Sequence, residues 1–170
     1  MRKPAAILGS ALFFLIAPFT IGFVLPWWMA GWEIGAPLGG NNLFPAAGVL
    51  LVLAGLAPLL ESFARFATVG LGTPAPIAPT QHLVVTGFYR YVRNPMYLGV
   101  LMIILGNALI LGNVAVVVYA GIVALGFALF VMGYEEPTLR RQFGVEYAEF
   151  CRNVPRWIPR LTPWTQATRE

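Results

Sequence analysis

The sequence predicts an all-α integral membrane protein, a single membrane domain (1–170) with four transmembrane helices. Of its 170 residues, 58% are hydrophobic and 11% are charged, which leaves too little polar surface to cover a soluble domain. Apolar runs at about 5–30, 43–66, 96–111 and 114–134 each predict a span. The basic residues fall on one side of these spans, so the sequence also predicts an orientation.

The first run, about 5–30, follows Arg2 and Lys3 and contains Pro18 and Pro26. A basic start before an apolar run also occurs in signal peptides. This run is longer than their usual apolar region and lacks a clear cleavage site near its end. We therefore expect it to be retained as the first span.

The second run, 43–66, follows a Gly-, Pro- and Asn-rich loop and carries Glu61 and Arg65 near its end. Side chains four residues apart can meet across one helical turn. Charge inside a membrane is costly, so the pair is a candidate for function. A structural ion pair at the interface is an equally good interpretation.

The segment 68–95 between the second and third runs is rich in Gly, Pro, Thr and Tyr. Loops of this length are usually functional or disordered, and its many apolar and aromatic side chains argue against disorder. We predict an ordered cytoplasmic loop that forms part of a site.

The third and fourth runs are separated only by Gly112 and Asn113, so they should be antiparallel neighbours. Gly99 and Gly106 lie seven residues apart and are expected to let the helices of this hairpin approach closely.

The tail, 135–170, has apolar residues at helical spacing and predicts a cytoplasmic amphipathic helix. Glu135 and Glu136 stand at its start. If they end the fourth span, the helix dipole disfavours them there; if Pro137 begins a new helix, they favour its start.

The basic residues sort to one face of the predicted topology. The loops after the first and third spans contain none, so both termini, the long loop and the tail should be cytoplasmic. The high Arg-to-Lys ratio hints at a bacterial source and hence at an inner membrane. The basic residues are Arg2, Lys3, Arg65, Arg90, Arg93, Arg140, Arg141, Arg152, Arg156, Arg160 and Arg169.

Composition narrows the chemistry. The seven acidic residues are all Glu, and the chain has one His and one Cys, His82 and Cys151. These counts exclude carboxylate-rich metal sites, zinc sites, disulfides and Cys-His-Asn triads, so we expect no metal. The net charge of +4 suits anionic membrane lipids better than nucleic acid, which we do not expect as a partner. Chemistry should depend on a cofactor with its own reactivity.

The segment Arg93 to Tyr97 begins the third span. Asn94 suits the N-cap, Pro95 the first helical position and Tyr97 the headgroup region, which is a purely structural interpretation. The same helix N-terminus beside Arg93 is also a site where a carboxylate or phosphate could bind, although the spacing alone favours the structural interpretation.

Together these motifs resemble the isoprenylcysteine carboxyl methyltransferase and phospholipid methyltransferase superfamily. The resemblance covers about 60–160 and rests on 82–99 (HLVVTGFYRYVRNPMYLG), 135–139 (EEPTL), 143–147 (FGVEY) and 154–159 (VPRWIP), which flank a membrane hairpin in the expected order. It implies an integral-membrane enzyme that binds S-adenosylmethionine between the long loop, the start of the third span and the Glu pair.

The resemblance also implies the residues that bind the cofactor. Arg93 or the amides near Asn94 suit its carboxylate, Glu135 and Tyr89 its ammonium and ribose hydroxyls, and Leu83 with Val84 its adenine. The implied contacts are Gln81, His82, Leu83, Val84, Gly87, Tyr89, Asn94, Pro95, Met96, Tyr97 and Glu135.

Two departures from the family pattern concern the acceptor. Asn94 stands where the family usually has His, and Val131 stands where the prenylcysteine branch has Arg. Arg65 is the residue that could replace the missing charge. An amine or phenol acceptor would need a base, for which Glu136 or Glu61 are the candidates.

We therefore expect methyl transfer to a lipid or small amphiphile at the cytoplasmic membrane face. The alternatives are a prenylcysteine-type carboxyl methyltransferase, a non-catalytic protein or lipid reductase of the same architecture, and a small four-span transporter.

Overall fold

The computed structural model describes residues 3–69 and 82–165, and this part of the chain is helical, with no strand. Short 3-10 helices cover Leu38–Gly40 and Gly87–Arg90, and π-helical segments cover Leu15–Val24 and Val131–Glu135. The α-helices are α1 (Lys3–Phe14), α2 (Leu25–Met29), α3 (Leu43–Thr68), α4 (Pro95–Leu111), α5 (Val114–Phe130) and α6 (Glu136–Asn153).

Within 3–69 and 82–165, three helical stretches are long and apolar enough to cross a membrane: Leu8–Met29, Leu43–Thr68 and Val114–Asn153. The fourth apolar helix, Pro95–Leu111, is shorter. The predicted bounds of the second and third runs match α3 and α4 within two residues. An all-helical fold with candidate membrane spans is therefore confirmed for the described residues, whereas the number of four spans stays a prediction.

The first span contains Pro18 within its π-helical segment. A proline removes one backbone hydrogen bond and clashes with the preceding turn, and a π-helical turn relieves this clash. Side chains from other helices bind nearby carbonyl groups: the Asn107 Nδ2 donates to Gly22 O at 2.9 Å and the Tyr119 hydroxyl to Ile21 O at 3.1 Å. These contacts fix the first span against α4 and α5.

Helices α3 and α4 pack closely through paired glycines. A Cβ atom built on Gly55 would lie 2.6 Å from the Gly99 carbonyl oxygen, and one built on Gly99 equally close to that of Gly55. Gly48 and Gly106 form a second such pair, at 2.6 and 2.7 Å. Gly99 and Gly106 thus face α3 rather than α5, and the expectation that they serve the hairpin was wrong. Periodicity reveals a small-residue face but not which neighbour it meets.

Helix α5 continues into the predicted tail helix without a break. The π-helical segment joins α5 to α6 and accommodates Pro137, so Glu135 and Glu136 lie inside a continuous helical stretch rather than at an exposed helix end. The dipole penalty considered for the pair does not arise there. A sharp bend follows at Gly144, whose φ of +50° suits glycine.

An apolar cluster lies at the end of the bundle where α3 ends and α4 begins. It joins the loop 82–94, helix α6 and the C-terminal strap, which we define as residues 154–165. The buried members are Val84, Tyr89, Tyr147, Phe150 and Val154.

Candidate functional site

A small cavity lies between the loop 82–94, the end of α3 and the junction of α5 with α6. We call it the interfacial pocket, and its volume is about 60 Å³. Its lining is apolar except for two carboxylates, a guanidinium, an amide and two phenols. The lining residues are Phe66, Leu83, Val84, Tyr89, Arg93, Asn94, Val131, Glu135, Glu136, Leu139, Tyr147 and Phe150.

A partly buried ion triad of Arg93, Glu136 and Arg156 lies at the interfacial pocket. The Glu136 Oε1 accepts hydrogen bonds from Arg93 Nη1 at 3.0 Å and Arg156 Nε at 2.6 Å, and its Oε2 accepts from Arg156 Nη2 at 3.0 Å. The Glu136 and Arg93 side chains are only 8% and 12% exposed. The hydrogen bond to Glu136 raises the pKa of Arg156, which therefore stays cationic. Two arginines share one carboxylate, so the triad carries a net positive charge.

Arg93 also has unused hydrogen-bonding capacity. Its Nη1 contacts Glu136 and the Cys151 thiol, whereas its Nε is buried without a hydrogen-bond partner among the described residues. The Thr86 hydroxyl is in the same condition. Buried donors are normally satisfied, so an unpaired one in the lining of a pocket suits an incoming acceptor group.

Glu135 also lines the interfacial pocket but belongs to a different set of contacts. Its Oε2 accepts a hydrogen bond from the Tyr97 hydroxyl at 2.6 Å. The Tyr97 ring packs against that of Phe127, with centroids 4.7 Å apart and ring planes at 48°. Tyr97, predicted as a headgroup anchor, is therefore part of a partly buried pair instead, because its hydroxyl group donates to a carboxylate on the neighbouring helix.

Tyr97 also lines a second cavity of about 190 Å³, which we call the apolar cavity. Its walls come from the first span, α4 and α5: Phe13, Ala17, Pro18, Ile21, Met96, Tyr97, Val100, Phe127 and Phe130. The Tyr97 ring lies on this cavity and its hydroxyl reaches Glu135, so this one side chain stands between the two spaces.

Tyr89 contributes a neutral hydroxyl to the interfacial pocket. It is 7% exposed, and burial raises its pKa well above the ordinary value. The hydroxyl contacts Ser62 of α3, whose own hydroxyl donates to Pro58 O at 2.6 Å. Tyr89 therefore remains protonated across the physiological range.

Asn94 occupies the predicted N-cap position of α4, and Pro95 follows at the first turn. The Asn94 side chain makes no capping hydrogen bond; its Nδ2 donates to the Arg156 carbonyl at 3.0 Å. The capping role expected for this side chain was therefore wrong, because the C-terminal strap lies within its reach.

Glu61 and Arg65 form the ion pair expected from their spacing, with Arg65 Nε 3.0 Å from Glu61 Oε1. The Glu61 Oε2 accepts from the Phe88 backbone N–H at 3.1 Å. Gly87 packs so closely on this carboxylate that a Cβ atom would overlap it, and its φ is +61°. Glu61 thus fastens the 3-10 helix of the loop to α3.

The largest of the three cavities, about 650 Å³, lies on the other side of the loop between α3 and α4. We call it the lateral groove. It contains Glu61, Gly87 and Pro95 and shares no lining residue with the interfacial pocket. Volume alone would have pointed to this groove and away from Arg93, Asn94 and the Glu pair.

The structure gathers about half of the predicted site residues at the interfacial pocket. Pro95 and Gly87 face the lateral groove, and Met96 faces the apolar cavity. His82 is exposed, Arg65 lines none of these three spaces, and Gln81 lies outside the described residues. The predicted residues that do meet there are Leu83, Val84, Tyr89, Arg93, Asn94, Glu135 and Glu136.

Sequence reasoning did not single out several residues of the site. Arg156 completes the ion triad, and its only sequence signal is its position within the 154–159 motif. Phe66 and Tyr147 belong to apolar patterns that indicate packing and carry no sign of a pocket.

The fold and the pocket together define a helical protein with candidate membrane spans and a charged, partly buried pocket at one end of its bundle. The chain belongs to the phospholipid methyltransferase family, whose profile matches residues 43–146. That match contains α3, the described part of the loop, α4, α5 and both carboxylates of the Glu pair.

Three curated relatives carry a more specific name. The chain is 37% identical over 79 residues to protein-S-isoprenylcysteine O-methyltransferase of Schizosaccharomyces pombe, covering 46% of this chain and 34% of that protein. The A and B enzymes of that name from Arabidopsis thaliana are 35% and 32% identical over 77 residues, 45% of this chain and 39% of each. The chain thus spans well under half the length of these relatives. No solved structure matches it.

Proposed function

We propose that this protein is an S-adenosylmethionine-dependent membrane methyltransferase whose acceptor is a lipid or small amphiphile. The observation that carries the proposal is the interfacial pocket, whose largely apolar lining contains Glu135 together with Arg93 and Glu136 of a net-positive ion triad. The amino-acid group of S-adenosylmethionine needs a cation for its carboxylate and an anion for its ammonium, and its adenine needs an apolar surface. Family membership and the names of the relatives support the same reaction class.

The residues present fit the cofactor. The unpaired Nε of Arg93 suits the carboxylate, Glu135 the ammonium, and Leu83 with Val84 the adenine. The pocket volume of about 60 Å³ is well below the several hundred Å³ usual for a ligand of this size, so its walls have to separate on binding. We infer that the described arrangement is the closed form.

When bound, S-adenosylmethionine supplies an electrophilic methyl group on its sulfonium. The contribution of the chain is then alignment, charge complementarity and exclusion of water, which are the sources of acceleration that a direct displacement needs. Tyr97 suits the alignment of the two reactants, since it stands between the interfacial pocket and the apolar cavity.

We propose that the acceptor approaches from the apolar cavity. Its lining is almost wholly hydrocarbon and aromatic, so it favours an acyl or prenyl chain over a polar substrate. The acceptor's reactive group would meet the interfacial pocket at Tyr97. This supports a lipid-like acceptor.

Glu136 and Glu61, the candidate bases expected from sequence, make hydrogen bonds that occupy their carboxylate oxygens. Both oxygens of Glu136 accept from arginines, and both oxygens of Glu61 are bound to Arg65 or the Phe88 amide. These contacts support anchoring roles for the two carboxylates. An acceptor that is already anionic, such as a carboxylate, needs no base.

We further propose four spans with both termini and the pocket at the cytoplasmic face of a bacterial inner membrane. The 17 residues of α4 extend about 25 Å, the lower limit for a span. The one-sided distribution of basic residues supports the orientation.

Prenylcysteine carboxyl methylation is the second candidate, because the curated relatives bear that name. Val131 is 1% exposed and lines the interfacial pocket, so it brings no cation to meet a substrate carboxylate. Arg65 is paired with Glu61. These contacts favour the lipid acceptor.

The deciding experiment gives the purified chain a methyl-labelled cofactor with a membrane lipid extract and, separately, with a prenylcysteine analogue. We expect label in the lipid fraction. Strong transfer to prenylcysteine that disappears in Arg65→Ala would overturn the acceptor proposal, and absence of both cofactor binding and transfer would overturn the enzyme proposal.

A further inference from the structure

The C-terminal strap is fastened directly to the loop that lines the interfacial pocket. The Arg93 backbone N–H donates to Pro155 O at 2.9 Å, and the Arg160 N–H donates to Tyr91 O at 3.0 Å. Backbone hydrogen bonds of this kind fix the strap in register with the loop. The side chain between these two contacts, Arg156, is therefore delivered to one defined position.

Arg156 reaches from the strap into the ion triad. Its guanidinium holds both oxygens of Glu136 in a bidentate contact, and its carbonyl accepts from Asn94. Glu136 in turn accepts from Arg93 Nη1. Arg156 is 34% exposed, so it lies at the rim of the pocket rather than in its lining.

The contacts from Arg156 to Glu136 and from Glu136 to Arg93 determine the orientation of the Arg93 guanidinium. Since Glu136 holds the Nη1 end of its guanidinium, the Nε edge is left buried and without a hydrogen-bond partner among the described residues. Leaving a buried donor unpaired is costly, and a carboxylate bound at that edge would satisfy it. Glu135 lines the same pocket and provides the opposite charge.

We propose that Arg156 is a positioning residue: through Glu136 it holds Arg93 so that the Nε edge receives the carboxylate of an α-amino acid group in the interfacial pocket. The inference rests on the proposed function and identifies which part of the ligand depends on the strap. It assigns no contact between Arg156 and the ligand.

Two ligands that differ only in the amino-acid group separate this role from general stability. S-adenosylhomocysteine carries the group, and 5′-methylthioadenosine lacks it. Titration calorimetry on the full chain in detergent should show that Arg156→Ala weakens S-adenosylhomocysteine binding by about 10- to 100-fold, the range for a charge-assisted hydrogen bond. Affinity for 5′-methylthioadenosine should change less than about twofold, because that ligand makes no use of the carboxylate site.

Two further variants keep the test falsifiable. Arg156→Lys retains the charge but not the bidentate contact, so its loss for S-adenosylhomocysteine should be intermediate. Arg152→Ala removes an exposed arginine close to the strap and should alter neither affinity. Thermal unfolding of each variant identifies any that fail to fold.

Equal loss of both ligands in Arg156→Ala, or no loss of either, would overturn the positioning role while leaving the proposed function intact. If the wild-type chain binds neither ligand, the proposed function fails and this inference fails with it. If Arg156→Ala does not fold, a selective loss for S-adenosylhomocysteine in Arg156→Lys supports the role, and an unselective one refutes it.

Discussion

Replacing Glu135 with Gln tests the cofactor assignment with little disturbance of the fold. Glutamine keeps the size of the side chain and can still accept the hydrogen bond that Tyr97 donates at 2.6 Å. Only the negative charge is lost. We expect the free energy of unfolding to change little, whereas binding loses a charge-assisted interaction worth about 1–3 kcal/mol, or about 5- to 150-fold in affinity.

The assay is calorimetric titration of wild type and Glu135→Gln with S-adenosylhomocysteine, with thermal unfolding measured on the same samples. Glu146→Gln is the matched control, since it neutralises an exposed carboxylate on α6, the helix that follows Glu135. Glu136→Gln provides a contrast: it removes the carboxylate that two arginines share, so it should lower stability by about 3–5 kcal/mol. Unchanged affinity in a folded Glu135→Gln protein would refute the assignment.

Three further predictions concern packing, the loop and the orientation. Gly55→Ala should lower the free energy of unfolding by about 1–3 kcal/mol, because the new Cβ atom would overlap the backbone of α4. Gly121 faces open space, so Gly121→Ala should cause no such loss. Equal effects of the two substitutions would contradict the glycine pairing. Glu61→Ala should weaken cofactor binding, because it releases the 3-10 helix of the loop from α3. Glu61→Gln can still accept the Phe88 hydrogen bond and should retain most of the binding. If both variants lose turnover but keep cofactor binding, Glu61 is the base instead. A cysteine introduced at Gly39 should react with an impermeant maleimide from outside the cell and native Cys151 should not, and the opposite labelling would reverse the proposed topology.

Local sequence was enough to predict much of the fold. Long apolar runs become helices because a backbone in lipid has to satisfy its own hydrogen bonds, so the bounds of α3 and α4 could be predicted closely. The Glu61–Arg65 ion pair could also be predicted, because helical geometry fixes the distance between residues four apart. The family could be identified because its motifs are contiguous in the chain.

Contacts between segments that are distant in the chain could not be predicted from the sequence. The π-helical segments, the partner of the Gly99 and Gly106 face, and the continuity of the fourth span with the tail depend on how neighbouring helices accommodate one another. A hydrophobic period encodes which face is buried but not what it is buried against.

The sequence by itself determined the composition of the site: a Glu pair, one arginine at the start of the third span, and neither Asp nor a second His or Cys. Only the tertiary structure decided the roles within it. Glu135 faces Tyr97 while its neighbour Glu136 is held by Arg93 and Arg156, which comes from the strap. Adjacent residues on a helix point in directions about 100° apart, so two identical side chains meet different surroundings once the loop and strap have folded against them.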